Sequence, residues 1–235
     1  MTAKGEFQGF PKEMFEFFMA ISFNNNTEFF EENRKLYEQK VKAPLYALAR
    51  DLTPMALHVD PEMEVRPPKV VSRLRRDTRF SANKLPYRDH MWLSWRPAGR
   101  PKSQCFGLYL EIGLEGLRYG VGWYDADPRR AKAIRRLLRQ QKERFLPIAT
   151  DPALAQAFQL HASWYKRLQA PEDLPEALLP YYRAKGFYLE HAEPLDKRHL
   201  QADFLREVEA NLLRLKAIYG FFRDLSLEGI DEEIW

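Results

Sequence analysis

The sequence predicts an α+β protein in which an antiparallel sheet in the middle of the chain is packed by N-terminal and C-terminal helices. Apolar residues recur at helical spacing near both ends of the chain, whereas apolar and polar residues alternate in the middle. Consecutive strands joined by a tight turn favour antiparallel pairing, and the pattern lacks the βαβ alternation of a doubly wound fold. The 235 residues, 45% of them hydrophobic, are enough to bury a sizeable core.

Helices are predicted over residues 10–58. The first helix has apolar positions at helical spacing, namely Phe10, Met14, Phe17, Phe18 and Ile21. Pro11 suits the first turn of this helix. The sequence NNNT then breaks the pattern, and Asn26 or Thr27 is expected to cap a second helix. Pro54 is expected to kink or end a third helical stretch.

A β-rich region is predicted over residues 65–124. Strands are expected at KVVSRL (69–74) and HMWLSW (90–95). A hairpin is expected in SQCFGLYLEIGLEGLRYGVGWY, with its turn near Gly113 to Gly116. The glycines in RYGVGW leave one face of the second hairpin strand open at its centre. We therefore expect a backbone or a ligand to approach closely there.

Helices are predicted again over residues 127–160 and 199–225. Asp127 is a suitable N-cap for the first of these regions, and Pro128 is a suitable first helical residue. A long apolar stripe predicts the last helix. Between the two regions, KGFYLEHAE (185–193) is predicted to add a strand.

The chain is interpreted as a single domain, residues 1–235, because neither an internal repeat nor a low-complexity linker divides it. Its one cysteine, Cys105, excludes an internal disulfide, which is typical of a reducing cytoplasm, so a cytoplasmic location is predicted. The N-terminus lacks a continuous apolar region of the signal-peptide type, and no apolar run of about 18 residues is present. No membrane partner and no cofactor are expected, and the oligomeric state is left open.

Positive charge is concentrated in two segments. Residues 66–102 hold eleven Lys/Arg against two Asp, and residues 129–144 hold eight Lys/Arg against one Glu. Because the whole chain carries only +4, the remaining residues are net acidic. This asymmetry indicates an anionic partner such as a phosphate, a carboxylate or nucleic acid. A solvated basic face is the alternative for the second segment.

The most unusual stretch is RLRRDTRFSANKLPYRDH, residues 73–90. It fits the pattern R-x-x-R-D-x-R-F-x-x-[DN]-K-x-x-Y at each specified position, which are Arg73, Arg76, Asp77, Arg79, Phe80, Asn83, Lys84 and Tyr87. In this pattern the chain resembles a widespread bacterial domain family, also seen in fungi, of uncharacterised function. The blocks FFMAISFNNNTEFFEENRKLYE, GLYLEI, GVGWYDADPRRAKAIR and KGFYLEH extend the resemblance over most of the chain. The resemblance implies where a site lies and implies no activity.

Physical chemistry suggests roles for these side chains. Arginine grips carboxylate or phosphate through a planar fork of donors. Three arginines and a lysine exceed what one aspartate neutralises, so a convergent cluster requires a further anion. The candidate ligand-binding residues are Arg73, Arg76, Arg79 and Asn83. Lys84 and Tyr87, three positions apart, are the candidate catalytic residues, acting as base or nucleophile. Asp77 and Phe80 are assigned structural roles.

A purely structural network is the alternative to a ligand site. Asp77 then bridges Arg76 or Arg79, and a glutamate of the second helix (Glu28, Glu31 or Glu32) neutralises the remaining arginines. Alternation adds a constraint, because Arg73 and Arg76 lie on opposite faces of a regular strand. We therefore predict a bulge or a bend near Arg75.

Other sequence motifs give weaker evidence of function than residues 73–90. The histidines do not show zinc-site spacing, so no metal is expected, with Asp89 and His90 the least poor candidates. G-x-S-x-G, Walker A and dinucleotide-binding patterns are absent from the sequence. The asparagines of NNNT cap a helix or, alternatively, reach the arginine cluster. Trp123, Tyr124 and Tyr109 are interpreted as sheet packing, with stacking on single-stranded nucleic acid as the alternative.

Three functions stay open at this point. The preferred one is an anion-binding site on residues 73–87, and an enzyme acting on a phosphorylated or carboxylated small molecule is one form of it. The second is a nucleic-acid-binding module that uses residues 66–102 and 129–144. The third is a scaffold or partner-binding protein whose Arg/Asp cluster is structural.

Overall fold

The computed structural model of the chain describes residues 6–79, 81–101, 104–123 and 126–227. The chain divides into two compact units. The first unit consists of the described residues of Met1–Trp95, Tyr109–Tyr119 and Ala192–Ala210. The second unit consists of those of Arg96–Leu108, Gly120–His191 and Asn211–Trp235. The interpretation of residues 1–235 as a single domain stays a prediction.

The first unit begins with the predicted helical region. Its helices are α1 Lys12–Phe23, α2 Thr27–Glu32, α3 Arg34–Leu36, α4 Ala43–Asp51, α5 Thr53–Val59 and α6 Pro67–Val70. A π-helical segment, Tyr37–Lys42, joins α3 to α4. Asn26 caps α2 by accepting a hydrogen bond from the Phe29 amide at 2.9 Å, as predicted. Pro54 lies in the first turn of α5, where α4 has just ended, so the predicted break is confirmed.

The predicted strand at residues 69–74 is wrong. Pro67 and Pro68 begin the short helix α6, because proline is preset for a first helical turn. Beyond α6 the chain forms only isolated antiparallel bridges, Val71 with Leu93 and Arg75 with Tyr87. The chain bends at Leu74, so the irregularity predicted near Arg75 is present.

Five strands of the described chain form one antiparallel sheet in the order β1-β2-β3-β5-β4. They are β1 His90–Trp95, β2 Gly107–Gly113, β3 Gly116–Gly122, β4 Gln159–Trp164 and β5 Ala184–Glu193. The α+β class is therefore confirmed, and so are the strand at 90–95, the hairpin with its turn before Gly116, and the strand near 185–193. Strand β4 falls at the end of a region predicted to be helical. It pairs antiparallel with β5, and its residues are either half-buried or exposed.

The second unit contains helices α7 Pro128–Gln140, α8 Lys142–Ala149, α9 Pro152–Ala157, α10 Leu179–Tyr182 and α12 Lys216–Phe222. Asp127 caps α7 by accepting from the amides of Arg129 at 2.8 Å and Arg130 at 3.4 Å, as predicted. The single last helix predicted over residues 199–225 is wrong. Instead a 3₁₀ turn, Lys197–Leu200, precedes α11 Phe204–Arg214, and α12 follows after a break at Leu215.

Aromatic packing forms the core of the second unit. Trp123 is 6% exposed, and its ring lies 4.4 Å from the ring centre of Phe106 and 5.4 Å from that of Phe187. The interpretation of Trp123 as sheet packing is therefore confirmed, while Tyr124 lies outside the described residues. In the part of the chain that the structure describes, no helix is both long enough and apolar enough to cross a membrane.

Candidate functional site

Residues 73–87, here called the signature segment, fold back on themselves as a short ribbon. The Arg76 amide donates to the Pro86 carbonyl at 2.8 Å, and the Arg88 amide donates to the Leu74 carbonyl at 3.0 Å. These bonds flank the Arg75–Tyr87 bridge. In this type of antiparallel pair the two facing side chains lie on the same side of the ribbon. Arg75 and Tyr87 therefore share one face.

Asn25 ties α1 and α2 to this ribbon. Its side-chain oxygen accepts from the Tyr87 amide, and its side-chain nitrogen donates to the Tyr87 carbonyl, both over 2.9 Å. Asn25 thus reaches the backbone of the signature segment at Tyr87 and forms no hydrogen bond with a described arginine of the cluster. Asn26 performs the capping.

Arg88 holds the other strand of the ribbon. Its Nη1 donates to the carbonyls of Arg73 at 2.9 Å and Arg75 at 3.0 Å. Its guanidinium lies 4.7 Å from the ring centre of Trp92, a distance suited to a cation–π contact. Arg88 lies outside the signature pattern, and the sequence-based assignment of roles missed it.

Aromatic rings pack beneath the ribbon. Tyr87 is 3% exposed and stacks on Phe30 with ring centres 4.7 Å apart and planes inclined by 23°. Phe30 also meets the ring of Tyr37 at 5.5 Å. Burial raises the pKa of Tyr37 to about 12, although its hydroxyl hydrogen-bonds to the Leu74 backbone. The π-helical segment is thereby anchored to the signature segment.

These elements enclose an open cleft of about 420 Å³ within the first unit. Its aromatic lining residues are Phe30, Tyr37, Tyr46 and Tyr87. Its charged lining residues are Glu31, Arg34, Glu38, Lys42, Arg73 and Arg75. Four cations against two carboxylates give the lining a net charge of +2. Arg73 and Arg75 both line this cleft from the signature segment.

The two glutamates of the cleft are bound to cations of their own helices. Glu31 accepts two hydrogen bonds from Arg34 at 2.6 and 2.8 Å, and this pairing lowers the pKa of Glu31. Lys42 donates to both carboxylate oxygens of Glu38 at 2.8 and 3.0 Å. By contrast, the guanidinium groups of Arg73 and Arg75 form no hydrogen bond or ion pair with any residue that the structure describes. Their side chains are exposed to the solvent of the cleft.

The other predicted ligand-binding residues do not line this cleft. Arg76 reaches the Ser81 hydroxyl at 3.4 Å. Arg79 forms an exposed bidentate pair with Asp77 at 2.7 and 3.0 Å. The Arg79 guanidinium lowers the pKa of Asp77 to about 2. Asp77 thus contacts Arg79, which was one of the two partners expected for it.

The remaining signature residues stabilise the loop that connects the two sides of the ribbon. The Asn83 side chain accepts from the Leu85 amide at 2.9 Å. The Lys84 ammonium donates to the Thr78 carbonyl at 2.9 Å and is exposed. Of the two candidate catalytic residues, only Tyr87 lines the cleft. Phe80 lies outside the described residues.

Two arginines line the cleft without belonging to the signature pattern. Arg75 occupies an unspecified position of the pattern, two residues after Arg73, and lines the same cleft as Arg73. Arg34 approaches from α3, and its guanidinium lies 5.2 Å from the ring centre of Phe30. Arg75 was not among the predicted site residues, although regular alternation would give it the same face as Arg73, and the sequence offers no comparable signal for Arg34.

Metal-binding chemistry finds no support in the described ranges. No group of three or more His, Cys, Asp or Glu side chains gathers there in a way that suits a metal ion. Asp89 and His90, the least poor candidates, contact each other, with the His90 Nδ1 2.9 Å from the Asp89 carboxylate.

Comparison with protein families gives one match. The sequence model of the family described as "Conserved hypothetical protein (DUF2461)" matches residues 13–221. This range includes the whole signature segment and every residue that lines the cleft. No curated protein matches the chain.

Proposed function

The chain belongs to the DUF2461 family of conserved hypothetical proteins, and since that description names no activity, we propose its function from the cleft of the first unit. The cleft binds a small organic anion, a carboxylate or a phosphate ester. Arg73 and Arg75 hold the anionic group, and the aromatic rings of Phe30 and Tyr87 contact the rest of the molecule.

The observation that carries this proposal is the pairing of charges in the cleft. Glu31 and Glu38 are already occupied by Arg34 and Lys42. Two neighbouring arginines therefore face the same cleft without a carboxylate partner among the described residues. Two guanidinium groups side by side repel each other, and an anion between them removes this repulsion and accepts several charged hydrogen bonds.

The shape of the cleft indicates the class of ligand. A volume of about 420 Å³ lies within the range of small-molecule sites. The aromatic rings favour a ligand with an apolar or flat body, since such a body packs on them. A net lining charge of +2 suits one carboxylate or one phosphate group.

Catalysis by Lys84 and Tyr87 stays a prediction. The position of Tyr87 in the cleft supports contact between Tyr87 and a ligand. Lys84 is held by the Thr78 carbonyl instead. A proton transfer at the ligand therefore falls to Tyr87 in preference to Lys84, and Tyr87→Phe tests it by removing turnover while leaving binding within about threefold.

The nucleic-acid alternative has less support. It requires a broad exposed stripe that includes the basic side of α7. Of the four residues expected on this stripe, Arg129 and Arg139 are exposed, whereas Lys132 and Arg136 are half-buried. The guanidinium of Arg130 lies 5.4 Å from the ring centre of Trp123, within the core of the second unit. The scaffold alternative does not account for the unpaired arginines of the cleft.

The experiment that tests the proposal is a thermal-shift screen with phosphate esters and carboxylates. It compares the wild type with R73Q/R75Q, which removes both guanidinium groups from exposed positions. Each charged hydrogen bond contributes about 1.5–3 kcal/mol, so the double variant is expected to bind about 100-fold more weakly. A ligand that raises the wild-type midpoint should leave that of R73Q/R75Q unchanged.

The matched control is R167Q/R206Q. It removes the same charge from two exposed arginines whose side chains contact no described residue through hydrogen bonds or ion pairs. This variant should respond to the ligand as the wild type does. If no anion in the screen raises the wild-type midpoint, or if both double variants lose the response equally, the proposal is wrong.

A further inference from the structure

The second unit contains a second basic cleft, of about 610 Å³. Residues on one side of α7 and at the start of α8 line it. Its charged lining residues are Lys132, Arg135, Arg136, Arg139, Lys142 and Asp173. The spacing of the four α7 cations, i, i+3, i+4 and i+7, places them on one face of the helix. Five cations against one carboxylate give this lining a net charge of +4.

The single carboxylate of this cleft is occupied by one cation. The Lys142 ammonium binds the Asp173 carboxylate and also donates to the Asp173 carbonyl at 3.1 Å. This contact lowers the pKa of Asp173. The guanidinium of Arg139, which is exposed, forms no hydrogen bond or ion pair with a described residue. The charge of Arg139 is therefore not balanced by any described residue of the cleft.

Arg135 supplies an independent observation. This residue is only 8% exposed, and its Nη1 is buried without a hydrogen-bond partner among the described residues. Its guanidinium lies 5.2 Å from the ring centre of Tyr165. A buried charged donor without an acceptor is costly, and proteins rarely retain one without a role for it. A ligand oxygen in the cleft is the acceptor that this arrangement lacks.

We propose that this cleft is a phosphate-binding site for a ligand with two linked phosphate groups, with Arg135 and Arg139 as the principal contacts. Two guanidinium groups without a carboxylate partner among the described residues favour a multiply charged anion over a single carboxylate. Guanidinium forks match phosphate oxygens in bidentate fashion, which a lysine point charge does not. The proposal is independent of the anion cleft of the first unit, since the two sites share no residue.

Inorganic pyrophosphate is the probe that tests the site, with binding measured by isothermal titration calorimetry. The wild type is expected to bind it saturably at a stoichiometry of one, and R139Q to bind it at least about tenfold more weakly. R206Q and R167Q, which remove charge from exposed positions outside both clefts, should bind as the wild type does. A wild type without saturable binding, or R206Q weakened as much as R139Q, overturns the proposal.

Arg135 itself is tested by R135M, which keeps an unbranched side chain and removes the buried charge. Without pyrophosphate, R135M should melt at a higher temperature than the wild type, because an unpaired buried guanidinium is destabilising. With pyrophosphate, the wild-type midpoint should rise and that of R135M should not. An R135M variant that melts lower and still responds to pyrophosphate excludes Arg135 from the site.

Two further probes identify the source of the phosphate groups. A nucleoside diphosphate that binds more tightly than pyrophosphate, with the same loss in R139Q, assigns the site to a nucleotide. Pyrophosphate that binds as tightly as the nucleotide assigns it to the phosphate groups alone. A single-stranded oligonucleotide that binds R139Q and R206Q equally, and more tightly than either small molecule, replaces the proposal with a surface for nucleic acid.

Discussion

The carboxamide of Asn25 hydrogen-bonds to both polar atoms of the Tyr87 backbone, each over 2.9 Å. Replacement by alanine leaves an amide and a carbonyl unpaired at a partly buried position. Asn25→Ala is therefore expected to lower the free energy of unfolding by about 1–3 kcal/mol. Urea denaturation followed by circular dichroism measures this loss.

Asn24→Ala is the matched control for Asn25→Ala. Asn24 is exposed, and its side chain forms one hydrogen bond, to the Ala20 carbonyl at 3.2 Å. Its replacement should change the free energy of unfolding by no more than about 0.5 kcal/mol. Equal losses in the two variants would show that Asn25 does not anchor the signature segment.

Glu64 makes a pH-dependent contribution to the free energy of unfolding. It accepts from the Arg66 side chain at 2.8 Å and from the Arg66 amide at 3.0 Å, and the guanidinium lowers the pKa of Glu64 to about 2. A carboxylate with a lowered pKa stabilises the fold above its unfolded pKa of about 4.5, and the contribution is lost as the pH falls toward 2. Glu64→Gln should therefore be less stable than the wild type at pH 7, by at most about 1 kcal/mol at this exposed pair.

The deficit of Glu64→Gln should shrink as the pH falls below about 4.5 and disappear near pH 2. Chemical denaturation of both proteins at a series of pH values measures it. Glu172→Gln is the control, because Glu172 is exposed and its side chain contacts no described residue through hydrogen bonds or ion pairs. A deficit that stays constant between pH 7 and pH 3 contradicts the assigned pairing.

At the scale of secondary-structure elements, the packing of β5 leaves no room for a side chain at Gly120 of β3. A Cβ atom at this position would lie 1.8 Å from the Leu189 carbonyl oxygen, a distance that backbone atoms cannot accommodate without moving. The open face predicted for the hairpin thus receives a backbone and not a ligand. Gly120→Ala is expected to lower the free energy of unfolding by more than about 3 kcal/mol or to prevent folding.

Gly220→Ala is the control for Gly120→Ala. Gly220 lies inside α12, is exposed, and has no atom within 4 Å of the site of an added Cβ. Alanine is the better helix former, so this variant should gain up to about 1 kcal/mol of stability. The two variants should therefore shift the thermal midpoint in opposite directions. A tolerated Gly120→Ala would contradict the close pairing of β3 with β5.

Periodicity predicted most of the elements, because burial imposes it on the sequence. Strand β1 alternates between half-buried and buried residues, and such a strand can be predicted from its sequence. Strand β4 has only half-buried and exposed positions, so no burial pattern marks it. The strand predicted at residues 69–74 shows the opposite error. Its apolar residues are buried, but two prolines begin a helical turn and only single bridges follow.

The sequence predicted part of the candidate site. The pattern of residues 73–87 located the ribbon, but the bend expected to reconcile Arg73 with Arg76 does not bring them into one cleft, since only Arg73 lines it. Arg34, Glu31 and Glu38 enter the cleft from helices far away in sequence, and their mutual pairing depends on tertiary packing. The sequence therefore left open which carboxylates neutralise the arginines, and the structure shows that the helix glutamates pair with Arg34 and Lys42.

At the scale of the whole molecule, each of the two compact units contains its own basic cleft. The cleft of the first unit has a net lining charge of +2 and an aromatic floor, whereas that of the second has +4 and a buried arginine. The two clefts are expected to prefer different anions, an organic monoanion or phosphate ester in the first and a diphosphate in the second. Variants of one cleft should leave binding at the other unchanged.

The central claim is that Arg73 and Arg75 bind an organic anion together. Nuclear magnetic resonance of the arginine side-chain N–H groups, assigned through single Arg→Lys substitutions, tests it most directly during titration with phenyl phosphate and with benzoate. The Arg73 and Arg75 signals should shift saturably with one common Kd for at least one of these probes, while the Arg167 signal stays in place. Signals of Arg73 and Arg75 that do not move, or that drift linearly in step with Arg167, would contradict it.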